Sequence, residues 1–571
     1  MSSERPRAKR RRLALALAAG LGATVVAAAD QAPGPRFYPD DPIPVDHDRT
    51  QDASGVRPQD LSETYDFLEH TFVARGDRAR IRAVNVNTVD EVPDSSWFTN
   101  RIGRRPMSVA EIVRGPDRVD RLEAPEWVIV AGKGPAGFQP GFRAVDPRRP
   151  DELFQFEVDL EDHADLASGA ELIGTTFYHA IGYHVVDTYL VNVHPSQLRI
   201  GETATIRDAS GRRRFAQGDL DEVIRLAAKN PDGSIRMSAG RFVEGRPIGN
   251  FRYHGTRPDD PNDIHPHEHR RELRGNRVFC AWLNHDDSRA LNTLEMLVTA
   301  DGRQFVRHYM FDFGSILGSS PERWWSGHAY LYEPDSTLRG LRTLGIWIPP
   351  WRTMIDPRRQ SPAVGRFDAA SFDPPAWRPE YPNPAFDNMR ADDAFWAARI
   401  VNRFTDDAIR AVVAKAAYRE AEAARVIADA LITRRDRIAR TWLTGVNPIV
   451  DPQLSADGRW SFANAAVDAG VATPAAEYRL TWSRFDNATG VPVGPTEETR
   501  AATLDGRAPT SILNGSEFVA LTVRSIHPDH PVWQAPVHIH FRRTASGWDT
   551  VGLEREVVEG DGAQKRNPIA P

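Results

Sequence analysis

The chain has 571 residues, of which 41% are hydrophobic and 26% are charged, and its formal net charge is −6. A chain of this length and composition exceeds one hydrophobic core, so we expect a soluble globular protein of two or more domains. The mild negative charge provides no general attraction to nucleic acid or to an anionic membrane. The single cysteine, Cys280, excludes an intramolecular disulfide and a thiolate metal cluster, and its apolar surroundings predict a buried core residue.

Residues 1–29 predict a secretory signal peptide. A basic region at 5–12 precedes an apolar stretch at 13–28, and 27–29 form a small-residue cleavage site. The apolar stretch is short for a membrane span, so we expect a periplasmic or secreted protein with no stable membrane insertion after cleavage. A retained N-terminal anchor is the alternative, and either Sec or twin-arginine export fits the arginines.

Residues 30–124 predict an N-terminal arm and a segment that packs around the next domain. The first half is rich in Pro, Asp and Gly without periodicity, which indicates an extended arm. Helices are predicted at 61–72 and 108–113.

A glycine-rich loop follows this segment. An apolar strand at 127–130 leads into Gly132-Lys133-Gly134-Pro135-Ala136-Gly137, and a second strand is predicted around 142–145. Glycines allow backbone amides to approach phosphate oxygens because no Cβ intervenes. A dinucleotide-binding fold needs a helix directly after the glycines, and Pro140 argues against one. The pattern favours a β-turn-β cover over nucleotide phosphates through Gly132, Gly134 and Gly137, with a flexible hairpin loop as the alternative.

Alternating strands and helices continue the chain. Strands are predicted at 153–157 and 183–193, and helices at 165–181 and 220–228. The first of these strands contains Gln155 and the first helix contains Glu171. The segment 241–245, which includes Glu244, is predicted to be a linker.

A histidine-rich stretch at 265–269 precedes a predicted helix that extends to Asn284. Alternate histidines share a face only in a strand, and Pro266 together with the following helix argues against a strand there. The stretch therefore predicts a polar helix N-terminus, and a zinc site is the alternative.

Residues 285–314 carry the most specific chemical pattern. His285, Asp287 and Asn292 precede a hairpin predicted at 294–298 and 304–311, and Asp312-Phe313-Gly314 follow it. An Asp on a loop can accept a proton from an attacking hydroxyl, and an Asn and a second Asp are hard oxygen ligands for Mg²⁺ or Mn²⁺. A buried Asp/Asn network that caps the hairpin of an unrelated fold is the alternative.

This order of motifs resembles the protein-kinase family, with the catalytic loop at His285, Asp287 and Asn292 and the D-F-G metal loop at 312–314. The resemblance implies an α+β, two-lobed protein-kinase-like domain at 125–445, with an upper lobe at about 125–245 and a lower lobe at about 246–445. It also implies ATP or another nucleotide, with Mg or Mn, as cofactors. Asp287 would orient the acceptor hydroxyl, Asn292 and Asp312 would bind the metal, and His285 would support the loop.

The resemblance also assigns the phosphate-binding cation. Gln155 stands at the natural candidate position for the lysine that kinases use to bind phosphates. Glu171 stands in the place of the helix glutamate that anchors this lysine. Either the protein is a pseudokinase, or Lys133 of the glycine loop supplies the missing charge next to Glu171. The linker that carries Glu244 would meet the adenine edge.

The remaining chain completes the lower lobe and adds a β-domain. Residues 338–388, rich in Pro, Trp and Arg, predict surface cladding, and 391–443 predict two or three amphipathic helices. Short strands and turns at 446–556 predict a small β-sandwich, in which His538 and His540 are expected to pack across strands rather than bind metal. Residues 557–571 predict a disordered tail.

Three hypotheses follow from these patterns. The first is an exported atypical kinase-like phosphotransferase that acts on an unknown hydroxyl acceptor, on protein or glycan. The second is a non-catalytic pseudokinase that serves as a binding or scaffold module, which Gln155 favours. The third is a metal-dependent hydrolase built around the histidines at 265–269.

Overall fold

A computed structural model describes residues 35–42, 46–73, 75–134, 139–208, 211–320, 325–353 and 361–558. Within these ranges the chain is a mixed α+β protein with twelve α-helices and four open sheets. The predicted signal peptide, Gly137 and the predicted tail beyond residue 558 lie outside the described residues. In the part of the chain that the structure describes, none of the helices has the length and apolar character that a membrane span requires.

Two short helices in the N-terminal segment confirm the predicted ones. Helix α1 (Glu63–Leu68) continues into a π-helical turn (Glu69–Val73), and helix α2 (Val109–Arg114) begins at Ser108. The Ser108 hydroxyl accepts from the Glu111 backbone N–H, and the Glu111 carboxylate accepts from the Ser108 N–H at 2.7 Å. This reciprocal capping satisfies two backbone donors that the first turn leaves unpaired.

The first sheet has seven strands in the order β5-β8-β3-β2-β1-β6-β7. The strands of this sheet are β1 (Trp127–Gly132), β2 (Gly141–Asp146), β3 (Arg149–Val158), β5 (Thr188–Val193), β6 (Leu198–Asp208), β7 (Gly211–Arg214) and β8 (Ile235–Arg241). The same part of the chain contains helices α3 (Leu166–Ile181) and α4 (Gln217–Leu226) and the short strand β4 (His184–Val185), which belongs to the second sheet. Strands β1, β2 and β3 form an antiparallel meander, as the predicted β-turn-β cover requires.

Side-chain alternation along β3 gives this sheet two different faces. Phe154 and Phe156 are buried in a core with Trp127 and Phe142, whereas Gln155 and Glu157 point to the opposite, half-open face. Because successive residues of a strand face opposite sides, every polar residue on the Gln155 side of β3 looks toward the same space.

The strand predicted at 183–193 is broken into two. Strand β4 pairs in parallel with β11 (Arg303–Met310) of the second sheet through Val185↔Met310, whereas β5 pairs with β8 of the first sheet. The prediction of one continuous strand was wrong because β4 and β5 hydrogen-bond to different sheets. An apolar run in the sequence does not indicate where a chain leaves one sheet and joins another.

The second sheet has the order β4-β11-β10-β9, with β9 (Arg246–Gly249), β10 (Thr293–Ala300) and β11 (Arg303–Met310). The hairpin β10–β11 confirms the predicted one. Its turn residues Asp301 and Gly302 have φ of 52° and 75°, the left-handed region that two-residue hairpin turns need.

Helix α5 (Arg271–Leu283) is buried along its whole length although its first half is charged. Arg271 donates to Asp90 at 2.8 Å, to Asp392 at 3.0 Å and to Asp393 at 3.1 Å, so its buried charge is fully paired. The helix ends at Asn284, whose φ of 54° is left-handed, and this turn delivers the chain to Asp287.

Helices dominate the chain after the second sheet: α6 (Pro334–Arg342), α7 (Pro384–Asp387), α8 (Ala391–Asn402), α9 (Asp406–Lys415) and α10 (Ala421–Ile438). The last three confirm the amphipathic helices predicted at 391–443. They pack on α3 and α5 through Phe404, which lies 5.2 Å from the rings of both Phe177 and Trp282.

Two antiparallel sheets follow, in the orders β12-β13-β16 and β15-β14-β17-β18-β19. The elements are β12 (Ile449–Leu454), β13 (Arg459–Asn464), α11 (Ala465–Asp468), β14 (Glu477–Asp486), β15 (Val491–Ala501), β16 (Asp505–Arg507), α12 (Thr510–Leu513), β17 (Phe518–Ile526), β18 (Val537–Thr544) and β19 (Gly547–Arg555). Phe462 of β13 contacts Tyr478 of β14 with ring centroids 5.4 Å apart, so the sheets share a core. The predicted strands at 460–462, 478–482, 518–523 and 537–541 are all present.

Candidate functional site

The charged groups singled out by the sequence meet around Asp312. The charges of Glu157, Asp287, Lys133 and Arg289 all act on its carboxylate. Asp312 is open to solvent yet enclosed by protein on its other sides, and removal from water, followed by the charges of Glu157 and Asp287, raises the pKa of Asp312 to about 6. Three segments far apart in the chain therefore form one acidic site.

The loop that follows α5 holds Asp287 and Asn292 together. The Asn292 side-chain Nδ2 donates to the Asp287 backbone oxygen at 2.7 Å, and both residues are buried. The nitrogen of the Asn292 amide is thus committed to the loop, which fixes the direction of its oxygen, the atom that a metal ion would bind.

The Asp312-Phe313-Gly314 segment is anchored through its phenylalanine. Phe313 is buried, and its ring lies 4.6 Å from that of Tyr178 on α3 and 5.6 Å from that of His285. A Cβ on Gly174 would approach Phe313 Cβ to 2.4 Å, so only glycine lets α3 lie this close. The supporting role of His285 stays a prediction, and Asp312, which precedes Phe313, has a left-handed φ of 65°.

Lys133 pairs with a carboxylate that the sequence analysis did not single out. Its Nζ lies 2.6 Å from Glu157 Oε1, and its backbone N–H closes the glycine loop on Gly141 at 3.1 Å. We expected Glu171 to be the partner of Lys133. Glu157 takes this position because it stands two residues after Gln155, on the same face of β3 and opposite Gly141 in the register with β2.

Gln155 is occupied by the sheet. Its oxygen accepts from Arg143 Nε at 3.2 Å, and its nitrogen donates to the backbone oxygens of Phe142 and Phe156. The side chain at the usual lysine position is therefore part of the strand surface.

Glu171 lies where α3, the end of the glycine loop and the Asp312 segment come together. A Cβ on Gly314 would lie 3.3 Å from Gln139 Oε1 and 3.9 Å from Glu171 Oε2. Burial, followed by the charges of Asp312 and Glu157, raises the pKa of Glu171 to about 8. These effects favour the neutral form of the Glu171 carboxyl, and the ammonium of Lys133 pairs with Glu157 instead.

The glycines of the loop have local reasons to be glycine. A Cβ on Gly132 would approach Ile206 Cδ1 and Phe215 Cδ2 to 2.7 Å, and one on Gly134 would lie 3.3 Å from the Arg207 backbone oxygen. Gly132 is therefore explained by packing on β6 and the segment that follows β7, whether or not it also faces phosphate. Gly137 lies outside the described residues.

Arg289 is a site residue that the sequence analysis missed. Its Nε lies 2.9 Å from Asp287 Oδ1, and its Nη1 contacts Glu63 of α1 and lies 3.6 Å from Glu380. These carboxylates, with burial opposing them, raise the pKa of Arg289. Its place two residues after Asp287 was visible in the sequence, but its distant partners were not.

Glu244 lies apart from this cluster. It is exposed and accepts from Arg118 Nη1 at 2.9 Å, and the charges that act on it, as far as the described residues show, belong to Arg118, Arg241 and Arg307. Its predicted role at the adenine edge stays a prediction.

The histidines at 265–269 serve the packing of the helix start. His267 uses Nε2 for Asp263 at 2.8 Å and Nδ1 for the Arg252 backbone oxygen, while His269 contacts Asp77 at 2.9 Å and Arg274. With both ring nitrogens of both residues engaged, neither offers a lone pair to zinc without breaking these bonds.

His538 and His540 contact neighbouring side chains within the β-domain. His538 Nδ1 lies 3.0 Å from Thr522 Oγ1 on the neighbouring strand, and the ring of the buried His540 lies 4.7 Å from that of Phe485. This is the cross-strand packing expected from the sequence.

The donor set of the site fits a divalent cation that is shared with a phosphate. Three carboxylates (Glu157, Asp287 and Asp312) face two cations (Lys133 and Arg289), and the raised pKa of Glu171 favours its neutral form, so an excess of negative charge remains. Within the described ranges no three His, Cys, Asp or Glu side chains are arranged to hold one metal ion. Mg²⁺ commonly takes one or two protein oxygens and completes its shell with phosphate and water.

No protein-family profile, no curated protein and no solved structure matches this chain.

Proposed function

We propose that the protein is an exported, atypical kinase-like phosphotransferase that moves a phosphoryl group from a metal-bound nucleotide to a hydroxyl acceptor. The observation that carries the proposal is the convergence of Asp287, Asn292 and Asp312 with Lys133 on a single site. The hairpin brings Asn292 and Asp312 together, whereas Lys133 comes to the same site from a separate segment.

The topology supports the finer proposal of a two-lobed, kinase-like fold with a C-terminal β-sandwich. The meander β1–β3 is followed by α3 and by strands that extend the same sheet, and the segment 241–245 then leads into the second sheet and the helices. The site lies between the β3 face and the loops that flank β10 and β11, which is where a cleft between two lobes would be.

Asn292 and Asp312 are the residues that would hold Mg²⁺ or Mn²⁺, and such an ion would neutralise charge on the nucleotide phosphates. The Lys133 ammonium, held by Glu157, is placed by the loop as a second positive group for the same phosphates. Asp287, oriented by Arg289, is the group that would accept a hydrogen bond from the acceptor hydroxyl.

Glu171 takes a different role from the one implied by the resemblance. With a pKa near 8 its carboxyl is protonated at neutral pH and can donate a hydrogen bond. Lys133 does not need it as an anchor, because Glu157 already lies 2.6 Å away. Helix α3 therefore contributes a neutral acid to the site.

A pseudokinase is the second candidate, because Gln155 leaves the position on β3 where kinases carry a lysine without a cation. Binding alone would then be the function, and the lobes and the β-domain would form a scaffold. The contacts of His267 and His269 do not support a metal-dependent hydrolase, because these side chains are hydrogen-bonded to Asp263 and Asp77.

Calorimetric titration of ATP with Mn²⁺ into the full chain tests the proposal. We expect heat of binding for the wild type and for the exposed control Lys229→Ala, and little or none for Lys133→Ala and Asp312→Ala. Asp287→Asn should keep nucleotide binding and lose phosphoryl transfer. No heat for the wild type would overturn the phosphotransferase, and binding without consumption of ATP would favour the pseudokinase.

A further inference from the structure

An uncovered apolar surface lies on and after helix α6. Five aliphatic side chains between residues 338 and 348 expose between 47% and 91% of their surface: Leu338, Leu341, Leu344, Ile346 and Ile348. None of the residues of α6 is buried. Soluble proteins seldom leave so many large aliphatic side chains uncovered in a short stretch, and those that do use them for contact with partners or lipid.

Arginines are interleaved with the aliphatic side chains of this surface. The segment 333–353 contains Glu333 and Asp335 at the start of α6, and Arg339, Arg342 and Arg352 among and after the aliphatic residues, although the whole chain carries a net charge of −6. The three arginines are exposed. The general absence of attraction to anionic surfaces therefore does not apply to this segment, where local charge favours an anionic partner.

Tryptophans border the aliphatic group. Trp347 and Trp351 are half-buried, and the Arg339 guanidinium lies 5.5 Å from the centre of the Trp347 ring. An arginine-bearing helix with leucines on one side and tryptophan at the margin has the composition of segments that lie in the interface of a membrane.

A second exposed apolar group adjoins the first. The π-helical turn after α1 exposes Phe72 and Val73, and the Phe72 ring lies 5.3 Å from that of Tyr332, two residues before α6. The surface thus extends from the N-terminal segment to α6.

We propose that this surface, formed by 338–348 with its arginines, docks on an anionic phospholipid bilayer. The aliphatic side chains would enter the boundary between headgroups and acyl chains while the arginines contact lipid phosphates. The inference is independent of the phosphotransferase proposal, since it uses none of the residues of that site.

A thiol-attached fluorophore at residue 346 tests the proposal in the full chain. Cys280 is buried and does not compete for the label, and Ile346→Cys changes an exposed side chain. With an environment-sensitive dye such as NBD, we expect a blue shift of the emission on adding phosphatidylglycerol vesicles and little shift with phosphatidylcholine vesicles. The label at Val491→Cys, another exposed position, on β15, should not respond.

Attachment through residues 13–28 is distinguished by the same experiment, because it would bring both labelled proteins to vesicles without moving either dye into lipid. Arg339→Glu with Arg342→Glu should abolish the shift at 346. The proposal is overturned if the dye at 346 ignores phosphatidylglycerol. A blue-shifted emission of the dye at 346 without vesicles also overturns the proposal. If this shift grows with protein concentration, a second copy of the chain covers the surface. If it is independent of concentration, another part of the same chain covers the surface.

Discussion

Lys133 Nζ lies 2.6 Å from Glu157 Oε1, so the ammonium of the glycine loop is held by a carboxylate of β3, in the same sheet. Glu171 of helix α3 does not pair with Lys133, and the nearby charge of Asp312 helps to raise the pKa of its carboxyl, which favours the neutral form. The position of the cation is thus fixed by the pairing of β2 with β3, and it does not depend on the placement of α3.

Replacing Glu157 with Gln should lower the pKa of Asp312, because the charge of Glu157 is the largest electrostatic contribution that raises it. Mn²⁺ binds the ionised carboxylate, so the pH at which binding is half-maximal should move down from about 6. Mn²⁺ titrations between pH 4 and 8 measure this midpoint. Glu152→Gln, on the same strand but paired with Arg149, is the control and should leave it unchanged.

Glu171 should make the folded protein less stable as pH rises. Its pKa is raised from the ordinary 4.5 to about 8, so the stability that its protonation contributes is fully present below pH 4.5 and is lost as pH rises from 4.5 through 8. Glu171→Gln should match the wild type near pH 5 and exceed it at pH 8, by up to about 1.4 kcal/mol per pH unit over that interval. Urea denaturation at several pH values measures the difference. Equal pH dependence in both proteins would show that Glu171 ionises normally.

Arg289→Ala should destabilise the protein by about 3 kcal/mol, since removal of one partner leaves buried carboxylates uncompensated. Asp287 lies 2.9 Å and Glu380 3.6 Å from its guanidinium. Thermal or urea unfolding measures the loss. Arg121→Ala, which breaks the exposed pair with Glu123, should change stability little. A similar loss of stability for both substitutions would contradict the claim that Arg289 compensates buried carboxylates.

The sequence predicted the parts of this site that depend on local order. Asp312 and Asn292 flank a hairpin that the turn residues Asp301 and Gly302 predict. The hairpin brings Asp312 and Asn292 to the same end, so chain connectivity alone predicts that these two residues lie close together. Glu157 was within reach of the same reasoning, because it shares a strand face with Gln155 at a spacing of two, but no motif marked it.

Other parts depend on contacts between distant segments. The change of sheet between β4 and β5 and the contacts of Arg289 with Glu63 and Glu380 involve residues far apart in the chain. Local periodicity carries no information about such contacts, and with one sequence no other signal was present.

Cys280 should resist thiol reagents in the native state. It is fully buried in α5, and burial raises the pKa of its thiol to about 12, so neither access nor thiolate is available. Reaction with Ellman's reagent should be absent on the timescale of minutes in buffer and complete in guanidinium chloride. Rapid labelling of the native protein would contradict the packing of α5.

The most direct test of the site is Mn²⁺ binding in the presence of ATP, followed by the loss of the free-ion electron paramagnetic resonance signal. Asp312 and Asp301 are both exposed aspartates with left-handed φ, of 65° and 52°, which makes Asp301→Asn a matched control for Asp312→Asn. We expect the wild type and Asp301→Asn to bind Mn²⁺ equally and Asp312→Asn to lose about tenfold or more in affinity, which corresponds to about 1.4 kcal/mol. Equal binding by all three proteins, or no binding by the wild type, would contradict the assignment of Asp312 as a metal ligand.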